Sequence, residues 1–256
     1  MMMLTLTLVG GPTVLIEANG FRLVIDPTFD APGEYRLSYV TLTKTSGPAL
    51  SAVVIGPVDA VLVSHDQQFR PGRSRVRREG VAHLHHRGRC RPARQRRRRT
   101  KTVGREAIDQ CRRSETDDHR DPRTPRPAGI EPMSGDVIGF VLTFEDVSMP
   151  PIYITGDTVW YNGVAEVARR FRAGVVLLFA GAAQTRGPFH LTMDTNDAIE
   201  TAHAFPDAVI VPVHRDGWAH LTQSSADLEN AFNALGLRSR LQMLKPGIAT
   251  PIDLAK

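Results

Sequence analysis

Asp26, His65, Asp157 and His214 share a position as well as a chemical character, since each stands just past the C-terminal end of a short apolar run. The runs are Phe21-Arg22-Leu23-Val24-Ile25, Ala60-Val61-Leu62-Val63, Ile152-Tyr153-Ile154 and Val209-Ile210-Val211-Pro212-Val213. In α/β architectures the C-terminal ends of strands converge on one sheet edge, where ligand sites form. Carboxylate and imidazole collected there are an ordinary ligand set for Zn²⁺ or another borderline metal. The chemistry such a set supports is metal-assisted hydrolysis, in which a bound water becomes a nucleophile near neutral pH. Each residue also has a structural reading. Asp before Pro at a strand end is a common turn residue, a single His after a strand can simply pack, and Asp157 in Gly156-Asp157-Thr158 can cap the next helix. Four such residues at four strand ends favour a site.

Further candidates surround these four. Asp66 follows His65 directly, and His190 follows Gly187-Pro188-Phe189 in a loop from which it could meet substrate or a supporting carboxylate. His220, beside Trp218, suits a pocket or simple packing. His83, His85 and His86 with Cys90 and Cys111 match no zinc finger or ribbon spacing, and the arginines crowding them oppose a cation.

The elements that position these residues alternate in the manner of an α/β protein. Residues 3–9 and 13–17 are β-rich, Asn19-Gly20 is a two-residue hairpin signal, and residues 21–25 form the return strand. Residues 60–63 read as a buried strand. Downstream, strands are expected at 137–142, 152–154, 175–179 and 209–213, and helices over about 162–172, near 194–204 and over 224–235. Ser224 and Asp227 resemble a capping box, and Gly236 ends that last helix.

Between Gln68 and Arg126 this pattern stops. The segment holds 20 of the 32 Lys and Arg and 7 of the 27 Asp and Glu, so it carries +13 while the rest of the chain carries −8. The overall charge of +5 and pI of about 9.6 therefore describe one segment rather than the whole chain. Phe69 is its one aromatic residue, and its apolar content is too low to offset the entropy of ordering a backbone. Both cysteines lie within it, which fits a reducing compartment. The first eleven residues lack a signal-peptide pattern, and no apolar run reaches the roughly 18–20 residues of a membrane span. A soluble cytoplasmic protein is expected. Its 256 residues suit a single domain over 1–256, interrupted by an aberrant or disordered Arg-rich segment at 68–126.

The flanks resemble the metallo-β-lactamase fold hydrolases, in particular the branch similar to ascorbate-6-phosphate lactonases and N-acylphosphatidylethanolamine phospholipases. The stretches that carry the resemblance begin with Gly11-Pro12-Thr13-Val14-Leu15-Ile16-Glu17, Val24-Ile25-Asp26-Pro27-Thr28-Phe29-Asp30 and Val61-Leu62-Val63-Ser64-His65-Asp66. They continue with Ala128-Gly129-Ile130-Glu131-Pro132, Tyr153-Ile154-Thr155-Gly156-Asp157-Thr158, His190-Leu191-Thr192-Met193 and Pro212-Val213-His214-Arg215-Asp216-Gly217-Trp218. The resemblance implies an αββα sandwich with one or two metal ions, zinc by type, at the sheet edges. It places the first metal position on His65, the bridging carboxylate on Asp157 and the second position on His214, with Asp26 orienting a ligand from behind. It also implies a small-molecule substrate with an ester, lactone, amide or phosphodiester bond.

The chain departs from that pattern where the ligands should be densest. His65 is followed by Asp66-Gln67-Gln68-Phe69-Arg70, without the further His and Asp ligands that the resemblance expects within about five residues, and no histidine lies between Arg120 and Pro132. A displaced reading frame accounts for this. GC-rich codons for His83 to Pro92, read one base later, yield a Thr-, Ala- and Gly-rich peptide. The same displacement over Asp117 to Arg126 permits a His-Gly ending that runs into Pro127, and over Arg70 to Gly72 it permits Asp-Leu-Asp. The expected outcome is a hydrolase homologue impaired in metal binding. The alternative is a non-catalytic protein on the same fold that holds anions or nucleic acid through Arg94 to Lys101 by counterion release. Against a nucleic-acid arm, the segment has no aromatic interleaving for base stacking.

Overall fold

The computed structural model describes residues 4–37, 40–65, 137–144, 149–185 and 187–254, together with the backbone of 82–84 and 103–106. Thirteen strands occur in this set: β1 (Leu4–Gly10), β2 (Thr13–Ala18), β3 (Phe21–Ile25), β4 (Gly33–Arg36), β5 (Thr41–Lys44), β6 (Ala60–Leu62), β7 (Ala82–Leu84), β8 (Val103–Glu106), β9 (Phe140–Phe144), β10 (Ile152–Ile154), β11 (Val175–Phe179), β12 (Val209–Val213) and β13 (Ala249–Ile252). The helices are α1 (Ala52–Ile55), α2 (Asn162–Arg170), α3 (Thr195–Ala204) and α4 (Ser225–Ala234).

Two sheets face each other. One runs β13-β1-β2-β3-β6-β7, antiparallel from β13 to β3 and parallel onward; the other runs β12-β11-β10-β9-β8, parallel from β12 to β10 and antiparallel onward. Strand alternation sorts the side chains into layers. Leu6, Ile16, Leu23, Ile25 and Leu62 of the first sheet pack against Phe140, Leu142, Ile152, Ile154, Leu177 and Val211 of the second. Residues of opposite parity in the second sheet, among them Tyr153, Val176, Leu178 and Ile210, lie against Val164 and Val167 of α2, Ala198 and Ala202 of α3, and Leu228 and Phe232 of α4. The outer face of the first sheet holds Val9, Leu15 and Val24, covered by Ile55 of α1. The result is the expected αββα sandwich.

The expected strands at 152–154, 175–179 and 209–213 coincide with β10, β11 and β12, and the Ser224–Asp227 capping box is formed. Three elements escaped the sequence reading. The β4–β5 hairpin lacks Gly, Pro, Asn or Asp between Arg36 and Thr41 and so has no turn signature. Helix α1 is a single turn, begun by Ser51, whose side chain accepts from Val54 N. Strand β13 contains Pro251, which reads as a strand breaker yet is tolerated here because β13 is the sheet edge. Most of the basic segment lies outside the described residues; its two described pieces, β7 and β8, pair as edge strands with β6 and β9. Among the described residues no helix is long and apolar enough to cross a membrane.

Candidate active site

The four strand-end residues come together, and the backbone shows the demand this places on the chain. Asp26 follows β3 with φ of 41°, and His214 follows β12 with φ of 51°, both in the left-handed region that side chains seldom adopt. Each is held there by neighbours. Asp26 N donates to Leu62 O, and Thr13 Oγ1 donates to Asp26 O at 2.7 Å. His214 N donates to Gly11 O, and its ring packs nearly perpendicular to that of Phe179 with centroids 5.6 Å apart. Strained backbone that the surroundings over-determine is common at functional sites.

Asp157 lies at the centre. Its Oδ1 is 3.0 Å from His214 Nδ1 and its Oδ2 is 3.4 Å from His65 Nε2. Burial pushes this carboxyl up, but His214 and His65 outweigh it. Their charges, the His214 hydrogen bond and the more distant His220 hold Asp157 well below the usual carboxylate range. The turn that delivers Asp157 depends on Gly156, whose φ is +67°; a Cβ there would come within 2.7 Å of Ile138 O and 3.0 Å of Ser64 Cβ.

Behind His65 is a second carboxylate. Asp26 Oδ1 accepts from Ser64 N at 2.7 Å, Asp26 Oδ2 accepts from Ser64 Oγ at 2.6 Å, and Ser64 Oγ is 3.0 Å from His65 Nδ1. Burial is the dominant influence on Asp26 and raises its pKa to about 6, against the opposing effects of His65 and the Ser64 hydrogen bonds. Asp26 thus reaches the site through Ser64, a residue that drew no separate notice in the sequence. The available signal was the hydroxyl directly before His65.

His220 joins from the loop that follows β12. Burial, then the proximity of His214, lowers its pKa to about 4 despite the pull of Asp157, which keeps the ring neutral at ordinary pH. Its Nδ1 is buried without a hydrogen-bond partner. The loop is strapped to the β4–β5 hairpin by Thr45 N to Gly217 O and Ala219 N to Thr43 O. Lys44 Nζ donates to Thr28 O and Asp30 O, with the Trp218 ring 6.0 Å away. Tyr35 and Trp218 pack with centroids 5.1 Å apart, and Trp218 and His220 at 5.7 Å. His190 is 3.3 Å from Asp194, the residue that caps α3, so the structure gives it a carboxylate partner there. Asp66 lies outside the described residues.

The donor types suit a borderline metal. Among the described residues no group of three or more His, Cys, Asp or Glu is placed to hold a metal ion. The two oxygens of Asp157 face the two imidazoles, Oδ2 toward His65 and Oδ1 toward His214.

Two facing sheets with helices outside, and a His and Asp cluster at the strand ends, define the metallo-β-lactamase fold, and the chain has that fold. Several solved structures that it resembles are named as hydrolases. It is similar to an isothiocyanate hydrolase from Delia radicum gut bacteria, with a TM-score of 0.69 and 18% identity over 96% of this chain and 98% of that one. It is also similar to a possible metal-dependent hydrolase from Veillonella parvula DSM 2008, with a TM-score of 0.66 and 17% identity over 97% and 99% of the two chains. A third likeness is Igni18, a metallo hydrolase from Ignicoccus hospitalis KIN4/I, with a TM-score of 0.59 and 16% identity over 98% and 99%. Among curated proteins it is 30% identical over 115 residues to the UPF0173 protein YddR of Bacillus subtilis strain 168. That match spans 45% of this chain and 44% of the relative, less than half of each. No family model matches the chain.

Proposed function

We propose that this chain is a homologue of metal-dependent hydrolases that act through metal-activated water on an ester, lactone, amide or phosphodiester bond, and that hydrolysis is impaired in the chain as it stands. The observation that carries the proposal is the convergence of His65, Asp157 and His214, from three different strand ends, on one buried cluster. Zinc is the metal this donor chemistry favours, with His65, Asp157 and His214 as its remaining ligands. Impairment is supported by the lack, among the described residues, of a group of three placed to hold a metal ion and by Gln67-Gln68-Phe69-Arg70, which follow Asp66 without a further ligand. No hydrolytic step is assigned to the trio alone. A displaced frame over 68–126 is the proposed origin of the loss, and a cytoplasmic setting and a small-molecule substrate belong to the same reading.

Metal content and turnover test this together. Purified protein should contain far less than one zinc per chain by mass spectrometry and should hydrolyse ester, lactone and phosphodiester substrates near background. Near-stoichiometric zinc with robust turnover that a chelator abolishes would overturn the impairment.

The +13 charge of residues 68–126 supports a second reading, a non-catalytic protein that holds anions or nucleic acid. Its binding should weaken steeply between low and physiological salt and ignore chelators.

A further inference from the structure

The hydrogen bonds behind His65 constrain where its protons sit. Ser64 Oγ carries one hydrogen and has two polar neighbours, Asp26 Oδ2 at 2.6 Å and His65 Nδ1 at 3.0 Å. Asp26 Oδ1 is already occupied as an acceptor by the Ser64 backbone N–H. An ionised carboxylate can only accept. The short contact to Oδ2 therefore takes the Ser64 hydrogen, and Ser64 Oγ is left to accept from Nδ1. All three residues are buried, with Ser64 fully so.

We infer that Ser64 is a positioning residue that relays the Asp26 carboxylate to His65, fixing a hydrogen on His65 Nδ1 and presenting Nε2 to Asp157. The assignment holds whether the ring is neutral or charged, because Nδ1 bears a hydrogen in both cases. What changes is Nε2. In the charged ring it carries a hydrogen toward Asp157 Oδ2, 3.4 Å away, and in the neutral ring it carries none, so that its lone pair faces that carboxylate unfavourably. Orienting one ring nitrogen by bonding the other is the usual way a protein specifies an imidazole's role. The functional meaning of the relay rests on the hydrolase reading, since it is there that the identity of the nitrogen facing Asp157 matters.

Asp26→Asn provides a direct test, because it alters the polarity of the relay at nearly constant shape. The amide oxygen can still accept from Ser64 N, while the amide nitrogen must donate to Ser64 Oγ. The hydroxyl then turns to His65 Nδ1, and the ring hydrogen moves to Nε2.

The experiment is ¹⁵N NMR of the imidazoles in the full chain at pH 8, with the His65 signals identified by their loss in His65→Gln. In the parent protein Nδ1 of His65 should resonate as a hydrogen-bearing nitrogen. In Asp26→Asn that signal should move to the position of a bare nitrogen and Nε2 should take the hydrogen; in Ser64→Ala the preference for Nδ1 should be lost. A bare Nδ1 in the parent, or an unchanged hydrogen on Nδ1 in a folded Asp26→Asn, overturns the inference. Should either variant fail to fold, the parent spectrum still decides. Near-stoichiometric zinc with robust turnover removes the impairment and leaves this assignment standing. A bare Nδ1 removes the assignment whatever the turnover.

Discussion

Asp157 Oδ1 and His214 Nδ1 lie 3.0 Å apart although 57 residues separate them, and that contact joins the ends of β10 and β12 across the intervening β11. Asp157 also faces His65 at the end of the other sheet, at 3.4 Å, so one carboxylate holds together the edges of both layers.

Replacing Asp157 with Asn should therefore destabilise the fold even if no metal ever binds. The loss expected at pH 7 is about 2 kcal/mol, the range for hydrogen bonds to a charged group. Asp157 sits well below the ordinary carboxylate range, so its contribution is present above the unfolded value of 3.8 and is lost as pH falls through its folded one. The gap between parent and variant should accordingly shrink in acid. Urea unfolding at pH 7 and pH 3 measures both. Equal stability at pH 7 would mean that the imidazoles do not depend on the carboxylate.

Asp26 and His220 should pull stability in opposite directions over nearly the same pH range. His220 titrates at about 4 when folded and 6.5 ordinarily, so the unfolded chain takes up the proton first. Stability is then lost as pH falls from 6.5 to 4, by about 3 kcal/mol at most. Asp26 titrates at about 6 when folded and 3.8 ordinarily, so its buried charge costs up to about 3 kcal/mol above pH 6 and that cost is relieved as pH falls. His220→Gln removes only the first effect. Relative to the parent, the variant should gain stability steadily between pH 6.5 and 4 in denaturant titrations. Parallel curves would show that the His220 ring is not held neutral by its burial.

The legible and illegible parts of this protein differ in the range of the interactions that make them. Strands β10, β11 and β12 follow from unbroken local apolar runs, and α4 from the Ser224 and Asp227 cap three residues apart. Asp26, His65, Asp157 and His214 were found because a strand end is itself a local feature. Ser64 was not singled out, since its role depends on a carboxylate 38 residues away on another strand. The β4–β5 hairpin was missed for a related reason. Lys44 and Tyr35 fix it to Thr28, Asp30 and Trp218, while its own turn carries no signature.

Two glycines with similar backbone angles should respond very differently to alanine. Gly20 has φ of +78° and nothing within 4 Å of an added Cβ, so Gly20→Ala incurs only the left-handed backbone cost of about 1–2 kcal/mol. Gly156 has φ of +67° and in addition would place its Cβ 2.7 Å from Ile138 O and 3.0 Å from Ser64 Cβ. Gly156→Ala should cost about 3 kcal/mol or more and displace the Asp157 turn. Thermal melting of both variants compares the costs. Similar losses would show that the Ser64 strand end gives way easily at this point.

The basic segment yields the prediction with the widest consequence. Its +13 charge, its Arg96-Arg97-Arg98-Arg99 run and the absence of ligands after His65 all begin and end within 68–126, while the flanks on both sides complete one sandwich. A selected insertion would leave the flanking ligand motif intact and add residues between elements. Here the resemblance expects the ligand motif to continue where the basic segment stands, the pattern that a change of frame would produce. An independent nucleotide read across codons 64 to 130 should reveal one base too many near codon 69 and one too few near codon 126. The corrected chain should regain His and Asp ligands, bind zinc near stoichiometrically and hydrolyse a test ester or phosphodiester in a chelator-sensitive way. If the codons read one base on as unrelated sequence, the segment is a true part of the protein. The His65, Asp157 and His214 cluster is then its finished state, and salt-dependent anion binding becomes the activity to measure.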